Sequence, residues 1–309
     1  MNTLLHKNLK YFLAFSLLII SYWFLSTLKV DAAACPKNGT KLDWAPDSNG
    51  NRCPTAPDLY EIRLYKIYVC KELPTGITTS STMNKGETCE LFYDAGANGE
   101  LIQISLGDTT TLKGKIIRPP NGSYASTMLI IDNYTSANSI FEFTGNVQGK
   151  AGLDGTGDSA TGPWCATLPN IGVFSSTGNT SVGITCAADK ATLTDAGLPG
   201  RYQETLQTLS NGSFDPDRDY TTAFGYLIDT NEFLASDGAD VDKFMIVENE
   251  RTSDLYTFTD ETYAADISFF VSEGMIVGSN FGDAKTWLGG GPFAGKLTLK
   301  TRPLRGSWR

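Results

Sequence analysis

Hydrophobic and polar positions along this chain alternate with a period of two in short segments separated by turn residues. In Tyr60-Glu61-Ile62-Arg63-Leu64 the apolar side chains fall on one parity, and in Tyr65-Lys66-Ile67-Tyr68-Val69 mostly on the other. A strand cannot change faces without an extra residue, so a β-bulge or bend is predicted near Leu64-Tyr65. Further strands are predicted at residues 89–93, 101–106, 112–118, 124–132 and 140–144, with Ile102, Ile104 and Leu106 sharing one face. The pattern resumes at 222–228, 243–248, 255–259, 266–272, 275–277 and 296–300. Asn98-Gly99, Gly107-Asp108 and Pro119-Pro120-Asn121-Gly122 supply turns at the spacing of an antiparallel sandwich. One segment departs from this rhythm: Tyr202, Leu206 and Leu209 recur at helical spacing between Gly200 and Asn211-Gly212, which predicts a short helix over 202–210.

Residues 11–28 form an apolar run with Lys7 and Lys10 before it and small residues after it, the three parts of a signal peptide. Two peptidase sites fit, Val30-Asp31-Ala32 before Ala33 and Ala32-Ala33-Ala34 before Cys35. The expectation is a leader over 1–34 and an exported chain at the cell surface, outside the cell or in the periplasm. Contact with a membrane is expected only through an uncleaved leader, long enough to span, or a lipidated Cys35.

All six cysteines follow the leader: Cys35, Cys53, Cys70, Cys89, Cys165 and Cys186. Neighbours in sequence make three loops of similar size, so the preferred pairing is Cys35–Cys53, Cys70–Cys89 and Cys165–Cys186, although spacing alone does not choose among the alternatives. A zinc site lacks both a C-x-x-C and a histidine.

Abundant glycine, threonine, tyrosine, isoleucine and valine with few helix-forming stretches give the fold class: all-β, antiparallel sandwiches with irregular disulfide-tied loops and one short helix. The expected organisation is an N-terminal sandwich at 35–148, opening with an irregular arm over 35–58. A glycine-rich linker or surface loop follows at 149–163, and then a C-terminal β-rich domain at 164–309. Loss of Lys7, Lys10, Lys29 and Asp31 with the leader takes the net charge from −9 to −11. Phosphates are repelled by such a chain, which argues against nucleic acid as a partner.

The stretch from Tyr60 to Phe143 resembles a bacterial secreted module of prealbumin-like (transthyretin-like) β-sandwich type. The residues that carry the likeness are the strand Tyr60 to Val69, then Leu101-Ile-Gln-Ile-Ser-Leu106, then the corner Pro119-Pro-Asn-Gly-Ser-Tyr124 leading into Ala125 to Ile131. In the corner the glycine permits the turn, and the tyrosine hydroxyl is free to bond backbone. The resemblance implies a scaffold used by surface, adhesion and carbohydrate-associated proteins, with no catalytic residues to carry over.

The only histidine, His6, lies in the leader. Ser-His-Asp and Cys-His nucleophiles, H-E-x-x-H zinc sites and imidazole bases are therefore excluded downstream of it. Catalysis by carboxylates alone survives, with Glu204, Asp229, Glu232, Asp260, Glu261 and Asp266 as candidates. Asp215, Asp217 and Asp219 have the alternating spacing that begins a calcium loop, but Tyr220 and Tyr226 stand where an EF-hand needs glycine and glutamate. Asp154 and Asp158 form a second, poorer pair. Trp44, Trp164, Trp287 and Trp308 are candidate stacking faces for sugars; Trp287 is the foremost because Leu288-Gly-Gly-Gly-Pro-Phe293 after it reads as a surface loop. No cofactor other than calcium is suggested.

The expectation is a non-enzymatic exported surface protein, an adhesin or filament subunit, whose partners are further copies of itself or a surface polysaccharide or protein. A carbohydrate-binding module or carboxylate glycosidase is the alternative.

Overall fold

The face switch predicted within residues 60–69 occurs at Tyr65. In the strand Leu59–Cys70, Leu64 stands opposite Ile131 and Lys66 opposite Ile130, so Tyr65 is the additional residue of a bulge. Tyr60, Ile62 and Leu64 before it and Ile67 and Val69 after it therefore all enter one core. Five successive apolar side chains of two parities are buried together, which no regular strand achieves.

The computed structural model describes residues 34–44, 52–85, 88–105, 111–154, 157–175, 178–179, 183–210, 212–219, 223–271, 274–280, 283–290 and 296–303. The fold is all-β with one short helix among these residues, several sheets and three disulfides. Leu59–Cys70 is the spine of a twelve-stranded sheet. Glu100–Ile104 and Cys89–Asp94 pair with its two halves, and so do Tyr134–Asn138 and Ser126–Asp132. The sheet continues through Lys243–Glu248 and Ala223–Ile228 to the edge strand Asp217–Asp219. At its other end it runs through Tyr202–Leu206 and Ile171–Ser175 to Gly178–Asn179. The pairing of Tyr202–Leu206 with Ile171–Ser175 is parallel, against the expectation of an antiparallel sheet throughout.

The main core lies on one face of this sheet, where Phe244, Leu129 and Ile131 meet Tyr124, Tyr256, Phe258 and Val271, with Ala265 and Ile267 of the strand Thr262–Phe270 packed on the outside. Tyr124 is buried and its hydroxyl donates to the Pro120 carbonyl at 2.8 Å, the backbone bond foreseen for the corner. The Asn98-Gly99 turn is also present. Gly99 has φ +61°, and a Cβ there would lie 2.8 Å from Cγ of Arg63, so glycine is required twice over.

A second core surrounds two of the disulfides. Trp44 and Phe143 pack at 6.1 Å between ring centres, with Leu42, Phe141, Met275 and Val277 and the Cys35–Cys53 and Cys165–Cys186 bridges around them. The N-terminal arm is more regular than expected. Arg52–Thr55 pairs with Met275–Asn280, and the Cys35 N–H donates to the Pro54 carbonyl at 2.8 Å.

Strands on both sides of residues 149–163 interleave in the twelve-stranded sheet, and residues 34–309 form one compact unit. The glycine-rich stretch joins Ile140–Gln148 to its antiparallel partner Thr161–Thr167. The loop is pinned, because Ser159 Oγ accepts from the Gly149 N–H at 2.6 Å and Asp158 pairs with Lys285 at 2.8 Å.

In place of the helix expected at 202–210 stands the strand Tyr202–Leu206, followed by irregular backbone. Tyr202, Glu204 and Leu206 are buried and Gln203 and Thr205 are not, a period of two that a buried glutamate had disguised as helical spacing. Glu204 tolerates the interior because the Tyr202 hydroxyl donates to it at 2.8 Å. The helix observed is Lys190–Asp195, started by Asp189, whose carboxylate accepts from the Thr192 N–H at 2.8 Å, and anchored by the buried Leu193. Asp283–Gly290 is likewise a strand, paired with Met275–Asn280, where a loop had been expected to begin at Leu288.

The three disulfides are those preferred from spacing. Cys70 and Cys89 stand directly opposite each other on paired strands, as do Cys165 and Cys186 on Thr161–Thr167 and Ile184–Ala187. Replacing Cys165 and Cys186 together by alanine is expected to cost about 3 kcal/mol, read as a lowered midpoint in urea unfolding. An unchanged midpoint would show that this bridge constrains nothing.

Candidate functional site

The face of the twelve-stranded sheet turned away from the main core is divided in two. Around Met128, Ile130, Met245 and Val247 it is apolar and covered by the segment between Cys70 and Cys89, whose Met83 is buried against it. Beyond the bulge it is polar. Cross-strand register sets Gln103, Glu61, Ser136 and Gln203 side by side on four neighbouring strands. Arg201 lies across this row, donating from Nε to Glu61 and from Nη1 to the Gln203 side chain at 3.1 Å, while Gln103 donates to Glu61 at 2.7 Å.

One step along the strands, Asp132 accepts from the Tyr65 hydroxyl at 2.8 Å and pairs with Arg63 Nε at 3.2 Å. Burial pushes the Tyr65 phenol up, and its bond to Asp132 pushes it further. Lys243 sits over the Tyr65 ring at 4.9 Å. The bulge residue thus joins a charged and aromatic cluster on the outer face.

Glu232 closes the far side of this surface. Its backbone is left-handed, φ +62°, a conformation that costs a non-glycine residue about 1–3 kcal/mol. The turn that holds it is tied by Asp229, which accepts from the Asn231 and Phe233 N–H groups. The Glu232 carboxylate bridges Lys66, at 2.8 Å, and Lys85, joining the spine strand to the covering segment. Burial alone raises this carboxyl, but the hydrogen bonds from the two lysines outweigh it and hold it below the usual glutamate range.

Four of the six carboxylate candidates have structural partners. Glu204 and Glu232 are bonded as described, Asp229 caps a turn, and Asp260 accepts from the Asn121 side chain at 2.6 Å. Glu261 is exposed, and Asp266 lies on the strand Thr262–Phe270. Asp217 and Asp219 sit on an extended edge strand instead of wrapping a loop, and the backbone of Asp215 is committed to Thr208 Oγ1 and the Leu209 N–H. Among the described residues, no group of three or more His, Cys, Asp or Glu side chains gathers as metal ligands would.

Of the tryptophans, Trp44 is a core residue, Trp164 is half-buried with Lys190 over its ring at 5.5 Å, and Trp287 lies on a strand opposite Gly278. The leader, Trp308 and residues 291–293 lie outside the described residues. The outer-face row is not visible in the sequence, where Glu61 reads as the polar parity of its strand, Ser136 falls between two expected strands and Gln203 falls in the expected helix; its signal is a register, visible once strands are paired.

Replacing Glu232 by glutamine is expected to cost about 1–3 kcal/mol at neutral pH. The folded carboxyl is depressed, so its contribution is full above the ordinary glutamate value of about 4.3 and is lost as pH falls through the lower folded value. Urea midpoints of the two proteins should therefore converge on acidification; a gap that persists in acid would contradict the assignment.

The chain matches no family model, no curated protein and no solved structure.

Proposed function

We propose that this chain is an exported cell-surface subunit that works by assembly, adding a strand of one copy to a sheet edge of another. The observation that carries the reading is the two-stranded ribbon of Thr262–Phe270 and Lys296–Pro303. Its strands pair from Phe270–Lys296 to Thr262–Pro303, and neither has a third strand beside it among the described residues. A long unpaired edge presents backbone donors and acceptors that a neighbouring chain can satisfy. The three disulfides suit an oxidising compartment, which supports export. The Cys35 sulfur, bonded to Cys53, has no thiol left to acylate, which favours a free mature N-terminus over a lipid anchor.

A second reading, saccharide binding, is favoured by the outer-face row. Gln103, Gln203, Arg63, Arg201 and Tyr134 are partly or wholly exposed, and they offer hydrogen bonds on a surface whose charges are paired.

Size exclusion and negative-stain microscopy of the purified chain are expected to show polymers that grow with concentration, and truncation after residue 295 should abolish them. A monodisperse monomer throughout would sink the assembly reading. A glycan array that responds to the wild type and is silenced by Arg201→Ala would establish the second.

A further inference from the structure

We infer that the outer-face row binds a neutral, hydroxyl-rich glycan chain laid across the strands, anchored by the buried hydroxyl of Ser136. This rests on the saccharide reading and names the ligand class and the anchoring residue within it. Ser136 lies between Glu61 and Gln203 in register, on the side of the sheet away from the main core. It is 1% exposed, and among the described residues its Oγ has no hydrogen-bond partner. A buried hydroxyl left unpaired is a cost to the fold that a bound ligand can remove. Asn170 brings a second such atom beside the row. Its side-chain oxygen is buried without a partner, while its backbone carbonyl accepts from the Gln203 N–H at 3.0 Å.

Arg201 covers Ser136. It donates to Glu61 and to Gln203, the two residues that flank the serine, so its guanidinium spans the hydroxyl. The Arg201 side chain is 44% exposed, and its tie to Gln203 runs through Nη1 at 3.1 Å. A sugar hydroxyl that enters beneath the guanidinium bonds Ser136 and replaces the Gln203 tie. Nη1 is then left to donate to the same sugar while Nε stays on Glu61.

Charge and shape select the ligand. Arg201, Arg63 and Lys243 are paired with the carboxylates of Glu61, Asp132 and Asp242. A uronate, sulfate or phosphate therefore finds no uncommitted cation among them, and the net charge of −9 opposes it further. A sugar hydroxyl both donates and accepts, as do the side-chain amides of Gln103 and Gln203. The margins of the surface are apolar. Leu101, opposite Arg63, and Ile171, opposite Gln203, lie on this face and are 41% and 65% exposed. They offer contact to the C–H faces of sugar rings on either side of the polar centre. Four strand spacings separate the strand of Leu101 from that of Ile171, roughly 19 Å, a length for several linked rings and not for one.

The test applies the whole chain to a glycan array carrying neutral, uronate-containing and sulfated oligosaccharides. Calorimetry with the neutral oligosaccharide that responds most strongly then compares the wild type with Ser136→Ala and Ile171→Asp, alongside urea unfolding of each. Neutral glycans are expected to bind, with affinity unchanged at about 1 M salt, where exposed charges are screened. Ser136→Ala is expected to weaken binding about tenfold while its urea midpoint stays level or rises, because an unpaired hydroxyl has been removed. A serine with a purely structural role would not separate the two readouts. Ile171→Asp should weaken binding by a similar factor at an unchanged midpoint. Binding confined to acidic glycans, wild-type affinity in Ser136→Ala or a lowered midpoint in that variant would each overturn this inference and leave the saccharide reading standing. Silence from every glycan would overturn both.

Discussion

The face switch at Tyr65 is the constraint on which the rest of the sheet depends. Leu59–Cys70 pairs with four other strands, two along each half, and the bulge lets both halves face the same core. Without it, Ile67 and Val69 would turn outward and the charged Lys66 inward, a slip that reverses every later side chain of the strand. The displaced residue is also used. Tyr65 reaches Asp132 on the outer face, beside Arg63 and beneath Lys243, so the irregularity that rescues the core also starts the polar surface.

Around that spine the chain holds itself together by covalent and ionic ties across strands. Cys70–Cys89 closes the segment that covers the methionine-rich outer patch, and Glu232 fastens the same segment through Lys85. Cys165–Cys186 and Cys35–Cys53 sit within the second core. These ties compensate for a fold divided among several modest cores, each of which excludes less water than a single large one.

Alternation and cysteine spacing made much of this legible in the sequence: the bulge, the three bridges, and strands such as Lys243–Glu248, which matches its expected bounds. Elements whose polar residues are buried were not legible. Tyr202–Leu206 hides Glu204 in its interior face, and Tyr134–Asn138 buries Thr135 and Ser136, so neither shows a clean apolar stripe. The helix Lys190–Asp195 has a single buried side chain, too few for a periodicity to appear. The outer-face row is a product of pairing between distant segments. Local patterning carries no record of such pairing, and so the surfaces were less legible than the fold.

Arg52–Thr55 has a consequence for the order in which the molecule can be made. It lies far ahead of its partner in sequence, Cys53 standing opposite Val277, so it is made well before the strand it pairs with. The Cys35–Cys53 bridge, by contrast, joins near neighbours and can close as soon as both are in an oxidising space. The disulfide can therefore bend the arm into shape before there is a strand to receive it, so that Met275–Asn280 meets an arm already prepared.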